Sequence, residues 1–132
     1  MEREALPRIL VVDDEIEMAA MIVEELGERG YAAVALPSGR EAVARLKNEH
    51  FDALVTDLRM PGVDGLGLLR VSRALDPSRP VIVMTGHSAM DTALEAAAHG
   101  AFHYIAKPFS LAQLVQVVER ALGGSGRAPR DR

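Results

Sequence analysis

Four apolar runs in this chain each lead to a residue able to take part in phosphoryl or metal chemistry. Residues 8–12 (Arg-Ile-Leu-Val-Val) stop at Asp13-Asp14-Glu15, the run that starts at Phe51 stops at Asp57, residues 80–84 stop at Thr85, and Phe102 to Ile105 lead to Lys107. Crowded carboxylates raise each other's pKa unless a cation neutralises them, and a donor set of oxygens in a chain without cysteine suits Mg²⁺, with Mn²⁺ as the alternative. Mg²⁺ takes few protein carboxylates, keeps several waters and readily adds a phosphate oxygen. An Asp carboxylate can attack phosphorus and form an acyl phosphate where the charge on the moving phosphoryl group is stabilised. Lys107 and the Thr85 hydroxyl are the groups to do that.

Singly, each residue has an ordinary explanation: an Asp after a strand as a turn or cap, a Lys before Pro as a solvated charge, a Thr-Gly pair as a turn. The chemistry exists only if the fold collects them.

The spacing predicts how it does so. Short apolar runs bounded by turn residues read as strands buried on both faces: residues 8–12, 31–36, the Asp57 run, 80–84 and 102–105. Between them lie helical patterns. The first follows Asp14, which is expected to cap it, with Glu15 and Glu17 at the positive end of its dipole and Gly27 and Gly30 marking its exit. Its core face is expected to be Met18, Met21, Ile22 and Leu26. The stripe Ile16, Ala19, Ala20 and Val23 is also apolar or small, which reads either as scattered surface apolarity or as a docking face for a partner helix.

A second helix is expected over 40–48 with Ala42, Val43 and Leu46 inward, a third over 66–75 closed by Asp76-Pro77, and a fourth, Ala-rich, over 89–99. A fifth starts at Ser110 with Gln113 three residues later, the spacing of a capping box, and buries Leu111, Leu114, Val115, Val118 and Leu122. Five strands alternating with five helices predict a doubly wound parallel α/β domain. Right-handed crossovers put the carboxyl ends of its strands on one edge, where Asp13, Asp14, Glu15, Asp57, Thr85 and Lys107 would meet.

Bulk properties fit one such domain. The chain has 132 residues, 48% hydrophobic and 26% charged, within the rough prior of about 100–200 residues per domain. Residues 1–7 read as an N-terminal extension, 8–122 as the domain, and 123–132 (Gly-Gly-Ser-Gly-Arg-Ala-Pro-Arg-Asp-Arg) as a flexible tail or linker. The net charge of −4 argues against direct nucleic-acid binding, the absence of cysteine excludes disulfide and Cys-metal frameworks, and no apolar run of about 18 residues could span a membrane. A cytoplasmic protein is expected.

The motifs Val11-Val12-Asp13-Asp14-Glu15, Asp57-Leu58-Arg59-Met60-Pro61-Gly62-Val63-Asp64-Gly65, Met84-Thr85-Gly86-His87 and Ala106-Lys107-Pro108-Phe109 together resemble the response-regulator receiver domains of bacterial two-component signalling. The match runs from Arg8 to Leu122, with no departure in the acidic pocket. Over 86–109 it is most like receivers attached to bacterial enhancer-binding transcription activators.

The resemblance implies a flavodoxin-like three-layer sandwich with strand order 2-1-3-4-5. It implies that Asp57 is the phosphoacceptor, taking its phosphoryl group from a sensor histidine kinase or phosphotransfer protein. Mg²⁺ would be held by Asp14, Asp57 and the backbone carbonyl of Arg59, with Asp13 acting through a water. Lys107 would pair with the phosphoryl group, Thr85 would move to it, and Tyr104 would turn inward behind Thr85. A cis peptide before Pro108 is also implied. The signal would pass through the face formed by the fourth helix, fifth strand and fifth helix, a face open to homodimerisation, to an output, with a C-terminal output domain and control of transcription as the expected form. Ile16, Ala19, Ala20 and Val23 become the kinase-docking face. The chain would catalyse only its own phosphorylation and dephosphorylation. Arg59 and His87, beside the site, are candidates for setting the phosphoaspartate lifetime.

Three other classes are discriminable. A flavodoxin-like cofactor binder needs a phosphate-cradling loop where Asp13-Asp14-Glu15 stands. A phosphatase needs an acid two residues after Asp57, where Arg59 stands. An interaction module with the same fold, independent of phosphorylation, would show no Mg²⁺-dependent labelling.

Overall fold

A computed structural model describes residues 6–86 and 103–123. Its elements are β1 (Arg8–Val12), α1 (Ile16–Glu28), β2 (Ala32–Leu36), α2 (Gly39–Asn48), β3 (Ala53–Asp57), α3 (Gly65–Leu75), β4 (Val81–Thr85), β5 (His103–Ala106) and α4 (Leu111–Ala121). The expected helix over 89–99, His87, Phe102 and the tail from 124 lie outside the described residues. The helix labelled α4 is therefore the fifth of the sequence expectation.

All strand pairs are parallel, in the order β2-β1-β3-β4-β5. Alternation along the central strands divides the core into two layers. Ile9 and Val11 of β1, with Val55, Ile82 and Met84, pack against Ile22 and Leu26 of α1 and Leu114, Val115 and Val118 of α4. Leu10 and Val12, with Leu54, Val81 and Val83, pack on the other face against Ala42 and Leu46 of α2 and Leu68 and Leu69 of α3. A strand with helices on both faces has no solvent side, which is why β3 and β4 read as continuous apolar runs.

Of the two caps expected from sequence, Ser110 with Gln113 is found and Asp14 is not, while Ser38 and Asp64 cap two further helices. Ser38 accepts the Glu41 N–H, Asp64 accepts the Gly67 N–H, and Ser110 and Gln113 form a reciprocal capping box. Asp14 does not cap α1: the cap position is Glu15, whose side chain makes no capping bond, and the nearby Asp13 Oδ1 accepts the Glu15 N–H at 2.9 Å. Asp14 is left free for the acidic edge.

The expected core face of α1 also needs correcting. Ala19, Ile22 and Leu26 are its buried residues, Met18 is partly buried and Met21 is 50% exposed. Ala19 belongs to the core and not to an outward stripe. Close packing of α1 on β1 and β2 favours the small side chain there, and the long Met21 is turned toward solvent beside Ile16, which is 70% exposed.

Candidate functional site

The sheet register assembles the site. Val12 pairs with Thr56 and Asp57 with Met84, so Asp13, one residue past β1, stands beside the carboxyl end of β3. The ladder continues past the strand ends: Asp13 N–H donates to Leu36 O at 3.2 Å, Leu58 N–H to Met84 O at 2.9 Å, and Lys107 N–H to Thr85 O at 2.7 Å. These bonds fix the backbone of the residues that carry the charges. The peptide bond between Lys107 and Pro108 is cis, as the resemblance implies.

One ligand oxygen from each of Asp13, Asp14 and Asp57 lies within 4.8 Å of the others. Lys107 Nζ sits 3.1 Å from Asp57 Oδ1, 3.9 Å from Asp13 Oδ2 and 4.0 Å from Glu15 Oε1. Three carboxylates thus surround one ammonium. Asp13 is fully buried and its Oδ2 has no hydrogen-bond partner. Asp57 is half-buried at the base, and Asp14 and Glu15 form the exposed rim.

The electrostatics follow from that crowding. Burial pushes the Asp57 carboxyl above the ordinary carboxylate range, with the Asp14 charge adding to it, although Lys107 opposes through its hydrogen bond and charge. Asp13 is raised chiefly by burial, with Asp57 and Glu15 as like charges, against the Glu15 amide and Lys107. Burial works against the Lys107 charge too, but Asp57, Asp13 and Glu15 outweigh it and hold the ammonium above its usual pKa.

Such a pocket is short of positive charge. An orphaned buried carboxylate oxygen, three carboxylates within a few ångströms and donors that are all oxygen fit a hard divalent cation.

Thr85, the last residue of β4, is 2% exposed, and Tyr104 in the neighbouring strand is 49% exposed, so in this conformation the tyrosine is not tucked behind the threonine. Arg59 is exposed on the loop after Asp57, between the buried Leu58 and Met60. Gly65 closes the motif that begins at Asp57 and is the first residue of α3. Its role is close to the chemistry: a Cβ on Gly65 would come within 2.5 Å of the Asp57 carbonyl oxygen and 2.8 Å of Leu58 Cα. Only glycine lets α3 start directly behind the acceptor strand. The second Gly of Pro-Gly-Val-Asp-Gly, directly after the Asp64 cap, is the signal that could have shown it.

A family profile described as "Response regulator receiver domain" matches residues 9–119. The chain belongs to the response-regulator receiver family. Among curated relatives of this receiver, the DNA-binding transcriptional regulator NtrC of Salmonella typhimurium is 40% identical over 114 residues, covering 86% of this chain and 24% of that protein. The C4-dicarboxylate transport transcriptional regulatory protein DctD of Rhizobium meliloti is 38% identical over 117 residues, covering 89% and 25%. The receiver spans about a quarter of these relatives.

Among solved structures, a receiver domain protein from Clostridium thermocellum superposes with a TM-score of 0.84 at 31% identity, covering 92% of this chain and 98% of that one. NtrX from Brucella abortus gives 0.85 at 31% identity, covering 92% and 28%. The five-stranded order matches the CheY-like fold that the sequence implied. The curated relatives are response regulators that control transcription, and the two-component reading rests on them together with the matched profile.

Proposed function

We propose that the chain is a phosphorylation-controlled switch in which Asp57 accepts a phosphoryl group from the phosphohistidine of a sensor histidine kinase or phosphotransfer protein. A carboxylate oxygen of Asp57 forms the new O–P bond as the P–N bond breaks, and the imidazole departs with its electron pair. The observation that carries this reading is Lys107 Nζ at 3.1 Å from Asp57 Oδ1, with Asp13 and Asp14 crowded on the same carboxylate. The ammonium is already placed where charge arrives.

Asp14, Asp57 and the Arg59 carbonyl would hold Mg²⁺, and Asp13 would reach it through a water. Bound there, the ion supplies charge neutralisation for the phosphoryl oxygens. The chain's own residues do the rest. Asp57 is the nucleophile, Lys107 pairs with the product, and the Thr85 hydroxyl donates to a phosphoryl oxygen. No other substrate is turned over.

An acyl phosphate adds roughly −1.5 to −2 charges at one point. It shifts a two-state equilibrium only by its differential contacts, here those of Thr85 and Lys107, and Tyr104, half-exposed on the neighbouring strand, is the side chain that would follow Thr85 inward. β5 and α4 then form the described part of the output face, which can also pair two copies.

Partner docking falls on α1. Ile16, Ala20 and Met21 are exposed; Ile16 and Ala20, with Ala35, Leu36 and Pro37, line a mostly apolar groove beside Asp13 that the buried Ala19 also borders, while Val23 packs partly buried against the core and is not part of it. An apolar helical surface seated there would bring its phosphohistidine to the Asp57 edge. The tail after Gly123 would lead to an output domain controlling transcription. No helix among the described residues is long and apolar enough to cross a membrane, and the cytoplasm is the compartment proposed. Labelling with radioactive acetyl phosphate tests the reading: Mg²⁺-dependent, hydroxylamine-labile label supports it, and label that is absent or independent of Mg²⁺ contradicts it.

A further inference from the structure

The loop from Leu58 to Asp64 follows the proposed acceptor and carries Arg59. Three contacts restrain it. Leu58 and Met60 are buried in the layer beneath α2 and α3, and Val63 packs against the same layer. Gly65 N–H closes the loop on Leu58 O at 2.9 Å. From outside, the first residue of α2 leans on Val63.

That residue is Gly39, buried at the start of α2. A Cβ there would lie 2.1 Å from Val63 O, 2.8 Å from Val63 Cβ and 2.9 Å from Val63 C. Gly39 shows no positive φ, so space and not backbone conformation demands glycine. As the first helical residue after the Ser38 cap, position 39 makes no demand of its own for glycine. Something outside the helix must select glycine, and the neighbour is the backbone of the loop.

We propose that Gly39 is a positioning residue for the phosphoacceptor pocket: by letting the Val63 carbonyl rest directly on α2, it sets where the Leu58–Asp64 loop presents the Arg59 carbonyl to the metal. This rests on the metal-binding reading above. A side chain at position 39 has no compliant group to push, because the nearest atom belongs to backbone. Of the two partners, α2 is fixed by Ala42 and Leu46 in the core and by the Ser38 cap. The loop, with exposed Pro61 and Gly62, is the part that yields. Gly67 touches the same loop more gently, where a Cβ would stand 3.2 Å from Val63 Cγ1 and 3.5 Å from Asp64 Oδ1.

The test titrates MgCl₂ into wild type, Gly39→Ala, Gly67→Ala and Gly27→Ala, followed by amide NMR shifts, with melting temperatures measured in EDTA. Gly27 lies in α1 with nothing within 4 Å of an added Cβ, and serves as the open-space control. Gly39→Ala should weaken Mg²⁺ by about tenfold, the low end for residues that orient a metal's ligands. Gly67→Ala should weaken it less, and Gly27→Ala should leave it unchanged. Wild-type affinity in Gly39→Ala, or a fall in melting temperature with no change in affinity, overturns the proposal. If Gly39→Ala does not fold, Gly67→Ala decides alone, and wild-type affinity there overturns it. A wild-type chain that binds no Mg²⁺ refutes the metal reading itself, a result distinct from any of these.

Discussion

Replacing Asp13 with Asn should stabilise the metal-free domain while removing most of its response to Mg²⁺. Asp13 is fully buried, its Oδ2 accepts no hydrogen bond, and its neighbours are two carboxylates within 4.8 Å and one ammonium at 3.9 Å. With an effective dielectric of about 20, each like charge at that limit costs about 3.5 kcal/mol and Lys107 returns about 4.3 kcal/mol. Asp14 is exposed, and solvent cuts its share to a fraction, so attraction and repulsion nearly cancel. What remains is the cost of a buried charged acceptor without a donor, about 1–3 kcal/mol.

Asn keeps Oδ1 for the Glu15 N–H and removes that charge, while Lys107 retains Asp57 at 3.1 Å. A gain of about 1–2 kcal/mol follows, or a melting temperature higher by about 4–8 °C for a domain of this size. Thermal unfolding at pH 7 in EDTA and again in excess MgCl₂ measures both parts. Wild type should rise with Mg²⁺ through preferential binding to the folded state, and the variant should rise much less. A variant that melts lower than wild type in EDTA and still gains as much from Mg²⁺ would refute the reasoning.

Other outcomes follow from the same geometry. Because the folded-state pKa values of Asp13 and Asp57 are raised, chiefly by burial, their contribution to metal-free stability is full below the ordinary carboxylate range and declines as pH rises through the raised values. Burial lowers the His103 pKa, so that residue costs stability as pH falls; urea unfolding in EDTA is therefore read as the difference between wild type and Asp13→Asn, which should narrow from pH 7 to pH 5, and a difference that does not narrow contradicts the pocket electrostatics. Glu49 acts in the opposite sense: Arg45 and Arg8 hold it at about 2, so its contribution is present above the ordinary value of 4.5 and is lost only as pH falls toward 2. Ala20→Glu on the exposed face of α1 should impair transfer from the cognate kinase and leave acetyl phosphate labelling intact, and equal loss of both would remove α1 from the docking account.

The fold was legible because its signals are local. Acid or hydroxyl residues at the ends of β-branched runs, Ser110 with Gln113, and the Asp76-Pro77 stop each encode an element boundary in a few residues, and the parallel topology follows from their alternation. The members of the site were legible for the same reason. Less legible was whatever depends on how two elements approach. Ala19 and Met21 exchange the roles expected of them because α1 packs through Ala19, Ile22 and Leu26, a phase that turns position 21 toward solvent. Asp14 is not a cap because the helix starts one residue later than expected, with Glu15 in the extended cap position. Gly39 and Gly65 look like turn residues in sequence, and only the 2.1 Å and 2.5 Å distances to neighbouring carbonyl oxygens show that they are spacers.

Phosphorylation at one carboxylate is the claim on which the rest depends. Intact-mass measurement after incubation with acetyl phosphate and Mg²⁺ tests it most directly, on wild type and on Asp57→Asn in parallel. The account predicts one added phosphoryl group on wild type, lost when EDTA replaces Mg²⁺, and none on the variant. The same mass gain on Asp57→Asn, or no gain on wild type, would contradict it.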